Sequence, residues 1–438
     1  MTTENAAILV GEFLAFIEHA PPPYFFWHAP EGDVLMAAGC ARSFDPVDAK
    51  DWRQWAVSEL GAPTERGAPP DADAPSDMPF IALVGFAPGD FAPDDFAPGG
   101  FDYHPNAVGR WSGFPRARFY QPRQAVLRRN GEERRWTDRQ QRALPRAGEA
   151  AQPQSIDVID WDREGFTSRV RSALALLREG ELEKVVLARE CHARLKRPVD
   201  PARSLRRMLA HPFSFSICHS PDGERYFFSA TPERLGRIDQ GRFETMALAG
   251  TAEVRGRHGR VGEGESKSEA EEVAEDLRMR LLGDVKERAE HAYVVEMIRD
   301  AASTFATGTE VQDVRVLELP HMRHMLTQIS GQMAPECGMR HLIAALHPTP
   351  AVAGTPRAEA TRLIAELEPF DRGLYAGCTG WFLGDGDGDA AVAIRSALVR
   401  GTDATLWSGA GIIRDSDAEA EERETRVKLQ TMLDVLGA

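Results

Sequence analysis

The sequence lacks the features of several protein classes. It has five cysteines among 438 residues, an odd number, and no Cys-x-x-Cys pair. Such scattered cysteines are typical of a reduced, cytoplasmic protein and indicate neither a disulfide framework nor a zinc site. No run reaches about 18 apolar residues, so we expect no membrane span. The first twenty residues predict an amphipathic helix and lack the basic start of a signal peptide.

The sequence also has fewer basic than acidic residues. Lys and Arg number 52 against 67 Asp and Glu, which gives a net charge of −15. Nucleic acids and anionic membrane surfaces attract proteins through a basic surface, so we expect neither as a main partner. A small anionic substrate is compatible with this charge, because it needs only a local cluster of Arg, Lys and a metal ion.

The apolar content, 42%, is enough for a sizeable core. The length suits one large domain with mixed sheets, or two smaller domains. Alternating or β-branched runs bounded by Gly and Pro predict strands along most of the chain, including a hairpin of 24–28 with 34–38. Phe-Ala-Pro occurs three times within residues 86–98, which predicts a low-complexity loop. Residues 141–155 have the composition of a linker.

The C-terminal segment from Ala418 to Gly437 predicts a helix, because its leucines recur at helical spacing. On its other side Glu421, Glu424 and Lys428 share one face. A solvated face with Glu–Lys pairs is the simplest interpretation of one such helix.

A second predicted helix, 270–305, changes that interpretation. It carries Glu287 and Glu290, again three residues apart. Two helices that each offer a pair of carboxylates can place hard oxygen ligands around one divalent cation, most simply Mg²⁺. We therefore expect a magnesium site formed by Glu287, Glu290, Glu421 and Glu424.

Motifs in the second part of the chain resemble one family in content and order. They are KVVLAR, TPE, ALAGT, EHAYVVEMI, HPTPAVAG, AELEPFDRGLYAG, AIRSA, GAGI and RETRVKLQTML. Together they resemble the chorismate-utilizing enzymes, which include anthranilate, aminodeoxychorismate, isochorismate and salicylate synthases. The resemblance implies an α+β fold of two large, mostly antiparallel sheets packed together with helices outside. It also implies a single domain, 1–438, with a more divergent part (1–155) and a motif-bearing catalytic part (156–438).

The resemblance assigns catalytic and metal-binding roles. Lys184 matches the base that activates water for attack at ring C2, and Glu233 matches the general acid facing the C4 hydroxyl. Glu290 and Glu424 match the glutamates that bind Mg²⁺, whereas Glu287 and Glu421 match carboxylates that reach it through water. A general acid must be protonated, so we expect a raised pKa for Glu233. A lysine base must be neutral, so we expect Lys184 to be buried or to lie near another cation.

The resemblance also assigns the substrate-binding residues. Arg395 matches the residue that binds the enolpyruvyl carboxylate of chorismate. The other matched positions are backbone amides and pocket side chains: Gly250, Thr251, His324, Thr349, Gly409, Ala410, Gly411 and Lys428.

Two positions separate the members of the family. Amine-using anthranilate synthases typically carry Gln where this chain has Lys184, and some aminodeoxychorismate synthases carry a covalent lysine where it has Ala249. Water is therefore the expected nucleophile, and we predict a Mg²⁺-dependent isochorismate synthase, an isomerase. A salicylate synthase, which also eliminates pyruvate, is the alternative. The N-terminal FFWHAP and GCARSFD resemble siderophore-type enzymes, with the menaquinone pathway as the other assignment. Family analogy implies a monomer.

Overall fold

The computed structural model describes most of the chain. The described residues are 3–18, 20–44, 78–86, 111, 117–136, 155–180, 182–211, 214–253, 276, 278–318, 322–335 and 337–437. The Phe-Ala-Pro loop after Phe86 and all but the last residue of the expected linker at 141–155 lie outside these ranges.

The described strands are numbered in chain order. They are β1 (Tyr24–His28), β2 (Val34–Ala38), β3 (Arg42–Phe44), β4 (Phe80–Val84), β5 (Ala117–Gln121), β6 (Gln124–Arg129), β7 (Glu132–Trp136), β8 (Ile156–Asp160), β9 (Lys184–Leu195), β10 (Phe215–Ser220), β11 (Arg225–Thr231), β12 (Arg234–Asp239), β13 (Arg242–Glu253), β14 (Ala306–Val311), β15 (Arg315–Glu318), β16 (Met322–Met333), β17 (Gly354–Thr355), β18 (Cys378–Phe382), β19 (Gly388–Val392), β20 (Ser396–Arg400) and β21 (Asp403–Ile413).

The described helices are numbered in the same way. They are α1 (Thr3–Ile17), α2 (Arg163–Glu179), α3 (Pro201–Leu209), α4 (Val285–Ala302), α5 (Met339–Leu346), α6 (Arg357–Leu367) and α7 (Ala418–Leu436). Among the described residues, none of these helices has the length and apolar character needed to cross a membrane.

The strands form two antiparallel sheets, as the resemblance implied. The first sheet has the order β17-β9-β21-β20-β11-β10-β1-β2-β6-β7, with β8 also paired to β9. The second has the order β14-β16-β13-β12-β19-β18-β4-β5-β3, with β15 also paired to β16. Both sheets take strands from the N-terminal and from the C-terminal half of the chain. The predicted α+β architecture is confirmed.

Side chains alternate between two cores, because successive residues of a strand face opposite sides of a sheet. Trp27 of β1 lies in a core that also contains Trp381 of the second sheet. Its neighbour Phe26 lies in a second core, together with Phe13 of α1 and Leu433 of α7. The first sheet is therefore buried on both faces.

Several predicted elements are confirmed, and others need correction. The hairpin of β1 and β2 has the predicted bounds, and α7 begins after the N-cap Asp417 and ends before Gly437. The helix predicted over 270–305 is interrupted at Asp284. The side chain of Asp284 accepts a hydrogen bond from Glu287 N–H and so caps a new helix, α4. The segment 390–400, predicted as one strand, divides between β19 of the second sheet and β20 of the first.

Candidate active site

The chain crosses between the two sheets twice at one place. Thr231–Pro232–Glu233 leads from β11 of the first sheet to β12 of the second, and 393–395 leads from β19 back to β20. Val392 N–H donates to the carbonyl of Glu233 at 3.0 Å, and Ala230 N–H donates to the carbonyl of Arg395 at 3.0 Å. The crossings thus hold Glu233 and Arg395 at the point where the sheets diverge. Arg395 has a φ of 49°, a left-handed conformation that marks this sharp turn.

Lys184 begins β9 and lies beside Glu290 of α4. Its Nζ is 2.7 Å from Glu290 Oε1, and its side chain is only 1% exposed. Gly411 of β21 leaves room for this pair, because a Cβ there would lie 2.8 Å from Lys184 Cε and 2.9 Å from Glu290 Oε1. The second glycine of the GAGI motif, Gly411, is therefore required by the close approach of the Lys184 and Glu290 side chains.

Helix α4 is fixed to the second sheet by a histidine that follows Glu290. His291 Nδ1 lies 3.1 Å from the carbonyl of Ala249, and its Nε2 lies 2.8 Å from Thr327 Oγ1. Gly250, which follows Ala249 in the chain, has a φ of +77°, and a Cβ there would lie 3.0 Å from the carbonyl oxygen of Glu287. The ALAGT turn therefore packs directly against the helix that carries Glu287 and Glu290.

Helix α7 presents two different charged faces. Lys428 Nζ is 2.6 Å from Glu424 Oε1 and donates to the carbonyl of Gly409 at 3.1 Å. On another face Glu422, whose side chain is 3% exposed, accepts from the fully buried Arg189 at 2.9 Å. The Arg189–Glu422 pair anchors α7 against β9 and leaves Glu421 and Glu424 to line a pocket.

The empty space in this pocket, counted together with open solvent at its mouth, is about 880 Å³. Many of the predicted site residues line it: Glu233, Glu287, Glu290, His324, Arg395, Gly409, Gly411, Glu421, Glu424 and Lys428. Lys184 and Thr349 lie behind this lining, in contact with Glu290 and Glu233 respectively. Ala249 lines the pocket next to Gly250, and Thr251 pairs with His324 across the strands.

Ala410 was assigned a role through its backbone amide, and its side chain does not line the pocket. Its side chain packs in the core between the sheets, and its backbone pairs with Leu187 of β9. Gly409 and Gly411, on either side of it, line the pocket. Alternation along β21 explains the difference, since neighbouring residues face opposite sides.

The carboxyl group of Glu233 is strongly perturbed by its surroundings. It is 4% exposed, and this burial raises its pKa from the ordinary 4.5 to about 7. Thr349 Oγ1 donates to its Oε1 at 3.4 Å, and the charges of Lys184 and Lys428 offset only part of the burial effect. The predicted increase in pKa is confirmed, so Glu233 can carry a proton at neutral pH.

Arg395 and His324 form the anion-binding end of the pocket. Burial, with Arg395 and Lys428 nearby, lowers the pKa of His324 well below its ordinary value. The neutral ring can therefore accept at Nε2 from Arg395 Nη2, which lies 3.3 Å away. Burial also lowers the pKa of Arg395, to about 10, which leaves the guanidinium charged at neutral pH. Thr431 Oγ1 accepts from Arg395 Nη1 at 3.3 Å.

Two aromatic residues of the pocket were missed by the sequence analysis. Tyr375 and Trp407 line it as a stacked pair, with ring centroids 6.1 Å apart. Trp407 Nε1 donates to Glu190 Oε1 at 3.0 Å, which fixes the ring. Tyr375 lies within one of the motifs and Trp407 lies two residues before another, but aromatic residues most often belong to the core, as these two also do. Their position became evident only with the two sheets assembled.

The four glutamates on α4 and α7 suit a hard divalent cation by their chemistry. Among the described residues, however, no three carboxylates, histidines or cysteines are arranged to hold one metal ion. Glu290 and Glu424 are instead paired with Lys184 and Lys428. Over the pocket as a whole, four carboxylates against Lys184, Lys428 and Arg395 leave a net negative charge. The carboxylate oxygens are of the kind that Mg²⁺ prefers, and Glu290 and Glu424 would have to leave their lysines in order to bind it.

Comparisons with known proteins find similar sequences and structures over most of the chain. A family model described as "chorismate binding enzyme" matches residues 132–437. The salicylate biosynthesis isochorismate synthase of Pseudomonas aeruginosa is 37% identical over 283 residues, which are 64% of this chain and 56% of that protein. The isochorismate synthase EntC of Escherichia coli K12 is 34% identical over 293 residues, 65% of this chain and 71% of that protein.

A solved structure shows the same fold over nearly the whole chain. The menaquinone-specific isochorismate synthase MenF of Escherichia coli aligns with a TM-score of 0.72 and 24% identity, covering 97% of this chain and 91% of that one. The sequence alignment with the Pseudomonas relative spans little more than half of that protein. The residues that surround the pocket all lie within the matched segment, 132–437.

Proposed function

This chain belongs to the chorismate-binding enzyme family, and from that membership we propose that it is an isochorismate synthase. It would convert chorismate to isochorismate by addition of water at ring C2, shift of the double bond, and loss of the hydroxyl at C4. The observation that carries this proposal is the presence of the buried Glu233, with a pKa of about 7, and the buried Lys184 at one pocket.

The reaction needs an acid, because hydroxide is a poor leaving group. Glu233 supplies a protonated carboxyl at neutral pH for that task. It also needs a base, because water is a weak nucleophile, and we assign this role to Lys184, which must leave its ion pair with Glu290 and be neutral in order to accept a proton. Each such group typically contributes roughly 10²–10⁴-fold to the rate.

The cationic side chains would bind the carboxylates of the substrate. Arg395, fixed by His324 and Thr431, is suited to bind the enolpyruvyl carboxylate through paired donors. Trp407 and Tyr375 contribute apolar surface to the lining of the pocket. These contacts orient the ring between the acid and the base.

We propose that Mg²⁺ is held by Glu290 and Glu424, with Glu287 and Glu421 reaching it through water. The ion would neutralise and orient the ring carboxylate of chorismate. The net negative charge of the four glutamates supports this assignment, since the substrate is itself a dianion.

Water is favoured over an amine as the nucleophile by two residues. Lys184 is present where amine-using anthranilate synthases typically have Gln, and Ala249 stands in the turn where a covalent lysine would be. The N-terminal segment with FFWHAP favours a route toward 2,3-dihydroxybenzoate or salicylate, and hence a siderophore, over the menaquinone route.

The test is incubation of the purified protein with chorismate and Mg²⁺ in the absence of ammonia, followed by separation of the products. Isochorismate alone is the expected result, and isochorismate added in place of chorismate should give the reverse reaction. Salicylate with pyruvate would make the protein a salicylate synthase. Product formation only after ammonia is added would contradict the role of Lys184.

A further inference from the structure

Arg234, the residue directly after Glu233, is enclosed by two carboxylates. Its guanidinium donates to both oxygens of Glu31, at 2.9 and 2.8 Å, and to both oxygens of Asp389, at 3.0 and 3.2 Å. The ring of Phe215 lies against it, 4.9 Å from the guanidinium carbon. The side chain is 8% exposed, so its charge is held away from most of the solvent.

The two carboxylates come from different parts of the fold. Asp389 belongs to β19, the neighbour of β12 in the second sheet, and is 1% exposed. Glu31 lies in the turn between β1 and β2 of the first sheet. Arg234 thus joins both sheets at the first residue after the crossing that carries Glu233. Glu31 also lies outside residues 132–437, the segment that the family model matches.

We propose that Arg234, clamped by Glu31 and Asp389, is a positioning residue that keeps the Glu233 carboxyl group in its buried place beside Thr349. The proposal rests on the proposed function in giving Glu233 the role of acid. Neighbouring residues of an extended segment point to opposite sides. Fixing Arg234 on one side therefore fixes the direction in which Glu233 faces the pocket on the other.

Stability alone does not account for such a cluster. A buried ion pair is often no more stabilising than well-packed apolar residues of the same size. The four hydrogen bonds donated by the planar Arg234 guanidinium instead fix the position of this side chain closely. A general acid needs such control, because a small displacement from the leaving group reduces the rate strongly.

The chain offers a matched control for this clamp. Asp33 lies in the same turn as Glu31 and pairs with Arg237 of the same strand, β12, at 3.2 Å. Glu31→Gln and Asp33→Asn therefore each remove one negative charge that joins the turn to β12. Only Glu31 contacts the neighbour of Glu233. The Glu31 side chain is 48% exposed, so we expect Glu31→Gln to fold.

The readout is the protonation of Glu233 in the absence of substrate. Infrared difference spectra against Glu233→Gln, collected over a pH series, give the midpoint of its carboxyl band. The other groups facing Glu233 are Lys184 of β9, Lys428 of α7, Tyr375 and the hydroxyl of Thr349. All four are unchanged in both variants. Because Glu31→Gln also removes a charge beside Arg234, a third variant, Arg234→Lys, which keeps the charges of the cluster, separates a change in the position of Glu233 from a change in the local charge.

In Glu31→Gln we expect the midpoint to fall from about 7 by roughly one pH unit or more, because a loosened carboxyl reaches water. We expect kcat to fall roughly tenfold or more, with little change in KM, because the acid is misplaced. Asp33→Asn should keep the wild-type midpoint and nearly the wild-type kcat. Arg234→Lys, which retains the charge but not the fork, should behave like Glu31→Gln.

An unchanged midpoint in Glu31→Gln, or an equal shift in Asp33→Asn, would overturn the proposal. The infrared result does not depend on turnover. If the wild-type protein formed no isochorismate, the proposed function would fail, while the comparison of the two variants would still decide the role of Arg234.

Discussion

Replacing Glu233 by Gln should abolish turnover and yet stabilise the protein at high pH. The folded protein buries Glu233 and raises its pKa from 4.5 to about 7. Between these two values the unfolded chain releases a proton that the folded protein retains. The contribution of Glu233 to stability is therefore complete below about pH 4.5 and is lost as the pH rises through about 7.

The size of this loss follows from the difference between the two pKa values. The change from 4.5 to about 7 corresponds to about 3 kcal/mol of unfolding free energy above pH 7. Solvent screens the charge of Glu233 little, because this residue is only 4% exposed. Gln has nearly the same shape, carries no charge and can accept the hydrogen bond from Thr349. Glu233→Gln should therefore recover most of this free energy.

The assay is thermal or urea unfolding of both proteins at about pH 5 and about pH 8.5, on either side of the transition. We expect similar stability at the lower pH and a clearly more stable variant at the higher pH. Glu366→Gln is the control, since Glu366 is 57% exposed and pairs only loosely with Arg362 at 3.7 Å; it should change stability little at either pH. Parallel pH profiles for wild type and Glu233→Gln would refute the raised pKa.

Three further predictions concern the charged residues around the pocket. Lys184→Ala should remove turnover while chorismate still binds in calorimetry, and retained turnover would exclude Lys184 as the base. Glu290→Gln should weaken Mg²⁺ and chorismate binding together, and an unchanged Mg²⁺ titration would place the ion elsewhere. Glu422→Ala leaves the fully buried Arg189 without its partner, so it should lower the unfolding free energy by about 3–5 kcal/mol; a loss below about 1 kcal/mol in urea unfolding would show that the pair does not anchor α7.

The sequence predicted those parts of the fold that depend on local pattern. The C-terminal helix was predicted at 418–437 because its apolar spacing and its end at Gly437 are local signals, and the structure agrees within one residue. The hairpin of β1 and β2 followed from its Pro-Glu-Gly turn. The prediction of a single strand over 390–400 was wrong. The chain passes from the second sheet to the first at Arg395, and no local sequence pattern specifies which sheet a strand joins.

The site was predicted from motifs, but its geometry was not. The order of the motifs placed Glu233 and Arg395 in one pocket, as found. The clamp on Arg234 joins residues 31, 234 and 389, which are far apart in the chain, and nothing near any of them indicates the other two. The pairing of Lys184 with Glu290 likewise appears only when β9 and α4 come together.

The most direct test of the account is conversion of chorismate in water enriched in ¹⁸O, with mass analysis of the first isochorismate formed. If Lys184 activates a solvent molecule and the C4 hydroxyl departs, each product molecule should carry one ¹⁸O atom, located at C2. Isochorismate without the label would show that the hydroxyl moves within the substrate, and would contradict the roles proposed for Lys184 and Glu233.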